Sequence, residues 1–314
     1  MRFNPRARID ARQVENREGR RSGGGRGGRG GGLGLPIPVG GGGRIGLGTV
    51  VLVVLYVVIQ SMAGNSVIPG TGSAGGSGSA RPAAASGTCR SGADANRSMD
   101  CAIDLFTNSV QDYWSRALPQ QAQIRYQPIR TVKYTGQTSS ACGTAQSAMG
   151  PFYCPNDKLV YIDQSFMHDM LQGQLGAKGG PLALGYVLAH EYGHHVEDQL
   201  GILGRMRTQQ GPTSDSVRVE LMADCLGGMW AADAGTTRDA HGLRIIESLT
   251  RDDVARAINA ARAVGDDRIQ RESSGRVDRE AWTHGSSAER VHWFEVGRER
   301  GSISACNTFA TNRL

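Results

Sequence analysis

The sequence contains no cysteine before Cys89, and none of its six cysteines form a Cys-x-x-Cys pair. The missing pair argues against a zinc site built from cysteines. An even number of cysteines confined to one part of the chain is typical of disulfide bonds in an oxidising compartment. Pairing each cysteine with its neighbour along the chain predicts three bonds, one choice among many possible connectivities: Cys89–Cys101, Cys142–Cys154 and Cys225–Cys306.

Charged side chains are absent from Ile45–Gly64, whose sequence is IGLGTVVLVVLYVVIQSMAG. This stretch has the length of a helix that crosses a bilayer, about 20 residues. It lacks the polar periodicity of a buried core helix, and the region before it is too long for the n-region of a cleaved signal peptide. Arginines precede it and none follows it closely. The positive-inside rule therefore predicts one retained transmembrane helix in the cell membrane, a cytoplasmic N-terminus and an extracytoplasmic C-terminal domain.

The positive charge of the chain is concentrated before that helix. Residues 1–44 hold ten Arg against three acidic residues, a balance of +7, whereas the whole chain has a net charge of +6. The Gly/Arg tract within residues 1–44 cannot bury a core, so this region is predicted to be a disordered tail. Such tracts can bind RNA, but the adjoining apolar segment argues against a nucleic-acid partner. Residues 65–88 are predicted to be a flexible Gly/Ser/Ala linker, and residues 89–314 one domain.

The stretch VLAHEYGHHVEDQL contains His-Glu-x-x-His, on a helix predicted to begin at Pro181. His190 and His194 are four residues apart, so both rings project from one face and can bind one metal ion. Glu191 is offset by about 100° and is suited to take a proton from an attacking water as general base. His195 points away from this face and is predicted to pack or cap. The motif also occurs by chance in unrelated chains, although the helical context disfavours that reading.

The third metal ligand is predicted on a later helix. The metzincin pattern fails, because Glu197 and Leu200 occupy the positions of its Gly and third His. In ELMAD, Glu220 and Asp224 lie on one helix face. Glu220 would bind the ion, and Asp224 would accept a hydrogen bond from the second ring nitrogen of a ligand histidine, for which His190 is the first candidate. An ordinary solvated helix face is the alternative. Two His and one Glu leave a fourth position open, which is typical of one catalytic Zn²⁺.

Five segments together carry a resemblance to a known family: ACGTAQSAMGPFYCPNDKLVYID, LAHEYGHHV, ELMADCLGGMW, AVGDDRIQ and THGSSAERVHWF. They resemble the neutral zinc metallopeptidase family of bacterial membrane-anchored proteins, over nearly all of Cys89–Phe309. The resemblance implies an α+β zincin-like domain, with an active-site helix packed on a small sheet. It also implies a zinc-dependent peptidase that acts on peptides or unfolded proteins.

The segment THGSSAERV is also similar to a Thr-His-Pro-x-x-x-x-Arg element of integral-membrane gluzincins. By that likeness His284 would stabilise the oxyanion of the substrate, and Arg290 would support the zinc-site carboxylates. Gly285 replaces the Pro of those proteins, which leaves the transfer open. A structural hydrogen bond is the alternative for His284, and a purely structural role is the alternative for Arg290.

The sequence thus predicts a membrane-anchored zinc endopeptidase. A strand at about Leu159–Ile162 just before the active-site helix either binds an extended peptide by backbone pairing or is an interior strand of the sheet.

The rival function is a binding or quality-control module of the cell envelope that keeps zinc but cuts little. A fourth protein ligand on the zinc would favour that rival, whereas an open fourth position favours hydrolysis.

Overall fold

The structure is a computed structural model that describes residues 1–17 and 89–314. Its fold is mixed α and β, as the sequence predicts. The helices are α1 (Gly92–Ala95), α2 (Met99–Ala122), a π-helix (Phe166–Gln174), α3 (Pro181–Gln199), α4 (Asp215–Asp233), α5 (Arg251–Ala263), α6 (Asp266–Ser274) and α7 (Ser287–Arg300). The strands are β1 (Arg2–Phe3), β2 (Val14–Asn16), β3 (Arg130–Tyr134), β4 (Gln137–Ser140), β5 (Gly143–Gln146), β6 (Phe152–Cys154), β7 (Leu159–Asp163) and β8 (Ile246–Ser248).

The main sheet has the strand order β2–β3–β7–β6. Strands β2, β3 and β7 are parallel, whereas β6 runs antiparallel to β7. Strand β7 is the strand predicted at Leu159–Ile162, and it is paired on both sides. It is therefore an interior strand and offers no free edge to a substrate. At one end of this sheet β6 has an edge with which no described strand pairs, and its Phe152 and Tyr153 line the cavity described below.

Helix α3 carries the His-Glu-x-x-His motif and is largely buried. Its first residue is Pro181, as predicted, where the missing N–H costs no hydrogen bond. Gly193 lies where α3 meets α4. A Cβ atom built on Gly193 would lie 3.0 Å from the Cα atom of Ala223. A glycine in the middle of this helix therefore allows the two helix backbones to approach closely, which brings the side chains of α3 and α4 together.

The structure contains the three disulfide bonds in the predicted pairing. The Cys225–Cys306 bond joins α4 to the C-terminal segment. The Cys142–Cys154 bond joins the β4–β5 hairpin to β6, and the Cys89–Cys101 bond holds residue 89 against α2. No described cysteine is free. This chemistry is consistent with an oxidising compartment.

Residues 1–17 differ from the prediction, because they are folded onto the domain. Strand β1 pairs with β8, and strand β2 pairs with β3 at the edge of the main sheet. The side chains of Phe3 and Ala7 are 2% and 0% exposed. The prediction of a disordered tail is therefore wrong for these residues. The Gly/Arg tract that motivated it begins later, whereas residues 1–17 contain apolar side chains that can be buried and backbone groups that pair with strands distant in sequence.

The rest of the predicted N-terminal architecture lies outside the described residues. This applies to the remaining tail (18–44), the transmembrane helix (Ile45–Gly64) and the linker (65–88). Among the described residues, 1–17 and 89–314, no helix has both the length and the apolar character that a membrane crossing requires.

Candidate metal centre

Helix α3 presents His190 and His194 on one face, one turn apart, with ring centroids 4.8 Å from each other. Helix α4 places Glu220 opposite them. The Nε2 atom of His190 lies 3.1 Å from one carboxylate oxygen of Glu220, and the Nε2 atom of His194 lies 3.5 Å from the other. Ligands at tetrahedral zinc, with bonds near 2 Å, are separated by about 3.3 Å. Both distances are close to this value, and one donor atom from each of the three residues lies within 4.8 Å of the other two, so these donors can surround a zinc ion.

The other ring nitrogen of each histidine is held by a buried carboxylate. The Nδ1–H of His190 donates to Asp224 at 3.0 Å, and the Nδ1–H of His194 donates to Glu197 at 2.8 Å. This arrangement fixes both rings with Nε2 directed at Glu220, and it is the usual partner arrangement of zinc-bound imidazoles. The sequence predicts this role for Asp224 but not for Glu197, which served there only to exclude the metzincin pattern. The available signal was its position three residues after His194, on the same helix face.

Arg290 from α7 anchors Asp224. Its Nε donates to Oδ2 of Asp224 at 2.7 Å, and its Nη2 donates to Oδ1 at 3.0 Å. The hydroxyl of Tyr186 donates to the same Oδ1 at 2.5 Å. Arg290 is 4% exposed and Asp224 is fully buried. The bidentate pair therefore fixes the carboxylate that orients His190, which favours the supporting role predicted for Arg290.

The charges around the three donors suit a cation. Four buried carboxylates lie in or beside the cluster, those of Glu191, Glu197, Glu220 and Asp224, and the buried guanidinium of Arg290 pairs with Asp224 and lies 4.0 Å from Glu220. Burial lowers the pKa of His190, but the Asp224 and Glu220 carboxylates outweigh it and raise that pKa to about 9. Burial raises the pKa of Glu197 to about 7, although His194 acts in the opposite direction. Without an ion these carboxylates favour a protonated His190, and a divalent cation can take the place of that proton, so the donor set fits zinc in charge as well as in geometry.

Glu191 lies beside the three donors rather than among them. It is 8% exposed and lines the same cavity as His190 and His194. Burial raises the pKa of its carboxyl above the usual value, and the nearby histidines counteract part of that effect. A carboxylate that is easily protonated, next to a metal-binding cluster, has the properties of a general base.

His284 lies in the loop before α7 and faces the same cavity. Its Nδ1 lies 2.7 Å from the hydroxyl of Thr283 and 3.5 Å from a carboxylate oxygen of Asp266. Its backbone N–H donates to Asp266 at 2.7 Å. The next residue, Gly285, has φ of 86°. Proline cannot adopt this angle, so the backbone here differs from that of the Thr-His-Pro element.

The remaining histidines do not join the donors. His195 is fully buried, and its Nε2–H donates to the carbonyl of Gln127 at 2.7 Å. Burial lowers the pKa of its ring. This is the packing role predicted for His195. Within the part of the chain that the structure describes, the histidine and carboxylate donors that converge are those of His190, His194 and Glu220.

A cavity of about 180 Å³ opens onto the donors. Its walls come from β6, the π-helix, α3, α4, α6, α7 and the loops between these elements. The lining is mainly apolar and includes Phe152, Phe166, Met170, Leu175, Val187 and Ile269. The charged and histidine side chains that line it are His190, Glu191, His194, Glu220, His284 and Arg290. Each of these six belongs to the donor cluster or lies next to it.

A helix with His-Glu-x-x-His that faces a glutamate from a later helix is the arrangement of zinc metallopeptidases with two His and one Glu as ligands. The chain belongs to the family described as "Putative neutral zinc metallopeptidase", whose sequence pattern matches residues 6–309. It is 45% identical to the uncharacterized protein Rv2575 of Mycobacterium tuberculosis (strain H37Rv) over 228 residues, which are 72% of this chain and 76% of that protein. It is 44% identical to the uncharacterized protein YpfJ of Escherichia coli (strain K12) over 207 residues, 64% of this chain and 68% of that protein. No solved structure matches the chain.

Proposed function

We propose that the protein is a zinc-dependent endopeptidase, with the ion held by His190, His194 and Glu220. The observation that carries this proposal is the convergence of three donors in a cavity that also contains Glu191. Zinc in this site would supply a Lewis acid that polarises the peptide carbonyl and lowers the pKa of the attacking water. The described residues contribute three donors to the cluster, which leaves the fourth position to water and substrate.

The protein side chains around the ion have separate roles in this proposal. Glu191 accepts a proton from the attacking water and later donates it to the leaving amine. His284 donates a hydrogen bond to the carbonyl oxygen as negative charge develops there. Asp224 and Glu197 hold the two ligand imidazoles in position, and Arg290 holds Asp224.

The lining of the cavity supports internal cleavage beside apolar side chains. An exopeptidase needs a charged group to bind the free terminus of its substrate. Each charged side chain in this lining already belongs to the metal centre or lies beside it. An apolar cavity of about 150 Å³ accepts a benzene ring, so one of about 180 Å³ can accept a large apolar side chain. Unfolded polypeptides expose such side chains, and we propose them as the substrate class.

We place the catalytic domain in an oxidising, extracytoplasmic compartment. The three disulfide bonds support this location, since cytosolic thiols are kept reduced. Attachment to the membrane through Ile45–Gly64 stays a prediction from sequence.

Metal removal tests the function directly. A reduced and carboxymethylated protein substrate is incubated with the purified chain before and after chelation. Cleavage is expected to stop on chelation and to return when one equivalent of zinc is added, because the ion activates the water. Cleavage that continues at full rate in the chelated protein would contradict a zinc-dependent reaction.

The cleavage pattern tests the substrate class. Mass spectrometry of the products is expected to show internal cuts adjacent to large apolar side chains, because the cavity beside the donors is apolar. One additional buried methylene changes kcat/KM by about 10-fold or more, so the preference should be clear in the products. Stepwise release of single residues from either terminus would be the opposite result.

Glu197 should affect zinc affinity through His194. Replacing Glu197 with glutamine keeps the size and an acceptor but removes the charge that makes the imidazole more basic. We expect zinc affinity to fall by about 10-fold, as for other partners of zinc-bound histidines. A competition titration with a chromophoric chelator measures this change. The matched control is Glu299→Gln on the exposed face of α7, which should bind zinc like the unaltered chain.

A further inference from the structure

Two stretches of the chain that are far apart in sequence form one folded body. Strand β2 adds to the main sheet beside β3, in a parallel register that pairs Val14 with Thr131 and Asn16 with Lys133. The same sheet includes β6, which lines the cavity of the metal centre. The N-terminal residues are thus a continuation of the sheet that supports the site.

Side chains of the domain bind the backbone of the N-terminal residues in a reciprocal manner. The side-chain oxygen of Asn96 accepts from the N–H of Phe3 at 2.9 Å, and its amide group donates to the carbonyl of Phe3 at 2.9 Å. The side chain of Asn108 makes the same pair of bonds with the backbone of Asp10, at 2.8 and 3.2 Å. Paired bonds of this kind fix the register of the segment, not only its position.

Apolar burial and close backbone contact accompany these bonds. The ring of Phe3 packs edge-on against Phe106, with centroids 4.9 Å apart. Gly92 begins α1 directly beneath the segment. A Cβ atom on Gly92 would overlap the carbonyl oxygen of Asn4. The domain therefore has a residue without a side chain where the N-terminal backbone passes over it.

Both described stretches are held to this body at the ends that border the undescribed residues, at residue 17 and at residue 89. The N–H of Arg17 donates to the carbonyl of Lys133 at 2.8 Å, and Cys89 is bonded to Cys101 on α2. The family pattern begins at residue 6, so most of this N-terminal segment belongs to the same pattern as the domain.

We infer that residues 1–17 are a structural part of the catalytic domain, and that both stretches reside in one compartment. Strand pairing cannot join residues on opposite sides of a bilayer, because hydrocarbon excludes the contact. If a neighbouring copy of the chain supplied β2, its residues 1–17 would likewise have to reside in the compartment of the domain that they pair with. A cytoplasmic location for residues 1–17 combined with an extracytoplasmic location for residues 89–314 is therefore incompatible with this fold. The inference does not depend on the proposed enzymatic function.

Cysteine labelling in intact bacterial cells tests the shared compartment. One full-length variant carries Arg12→Cys, at a side chain that is 86% exposed, and a second carries Arg276→Cys on the exposed surface of the domain. A membrane-impermeant maleimide is expected to label both before permeabilisation, or neither. If Arg276→Cys is labelled in intact cells and Arg12→Cys only after permeabilisation, the inference is overturned.

Hydrogen exchange tests the docking itself in the purified full-length protein. The amides of β2 are expected to exchange far more slowly than those of an unfolded chain, and Gly92→Ala should remove most of that protection by displacing Asn4. Alanine favours helix more than glycine does, so α1 itself should not be weakened. The matched control is Gly235→Ala, where a Cβ atom meets nothing within 4 Å. Exchange of residues 1–17 at the unfolded rate in the unaltered protein would exclude the inference.

Discussion

Replacing Glu191 with glutamine is expected to lower proteolysis by about 10²–10⁴-fold while zinc binding is retained. Glutamine has nearly the same size, but it cannot accept the proton of the attacking water. Because Glu191 lies outside the donor set of His190, His194 and Glu220, the ion should keep its ligands. The rate is measured with an unfolded protein substrate, and the zinc content is measured by elemental analysis of the same sample.

Two further variants make this result specific. His194→Ala should lose both zinc and proteolysis, since it removes a ligand. Glu299→Gln, an exposed glutamate on α7, should change neither quantity. If Glu191→Gln cuts at the rate of the unaltered chain, the proposed mechanism is wrong. If the unaltered chain binds one zinc but cuts nothing, the binding-module alternative is favoured.

Replacing Arg290 with methionine is expected to destabilise the domain by about 3–5 kcal/mol, because the buried Asp224 carboxylate loses its counter-charge. For a domain of this size the melting temperature should fall by about 10 °C. The measurement is thermal unfolding in a chelator, so that differences in zinc binding do not contribute to the stability. Arg300→Met, at an exposed position on the same helix, is the control and should melt like the unaltered chain.

A double variant identifies the cause of that loss. Asp224→Asn combined with Arg290→Met removes both charges, while the amide oxygen can still accept from Tyr186 and His190. We expect this double variant to be more stable than Arg290→Met alone, because no unpaired charge stays buried. Equal or lower stability would assign the effect to packing around Arg290 rather than to its charge.

The core of the site could be predicted from sequence because its geometry is local to two helices. However the helices pack, His190 and His194 share one face of α3, and Glu220 and Asp224 share one face of α4. The meeting of the two faces depends on tertiary packing. In the sequence, only Gly193 and the resemblance to the family indicated indirectly that these two helix faces meet. Glu197 was missed because its role depends on which nitrogen of His194 faces the other donors, and the sequence does not contain that information.

The N-terminal residues could not be assigned from composition. An excess of Arg over acidic residues in residues 1–44, and the Gly/Arg tract within them, made the region resemble a tail. Residues 1–17 are folded because they pair with β3 and β8, which lie more than a hundred positions away in the sequence. The burial of Phe3 depends on the same pairing. The orientation rule for membrane segments uses charge alone and takes no account of this contact. Preparations of the catalytic domain should therefore include residues 1–17.

The proposed metal centre is a zinc ion on two imidazoles and one carboxylate, with its fourth position open to the cavity. A crystal structure of the zinc-loaded protein, with anomalous diffraction at the zinc edge, tests it most directly. We expect one strong anomalous peak about 2 Å from the Nε2 atoms of His190 and His194 and from the carboxylate of Glu220, with its remaining side free of protein ligands. A fourth protein ligand on the ion, or a zinc peak elsewhere in the domain, would contradict the account.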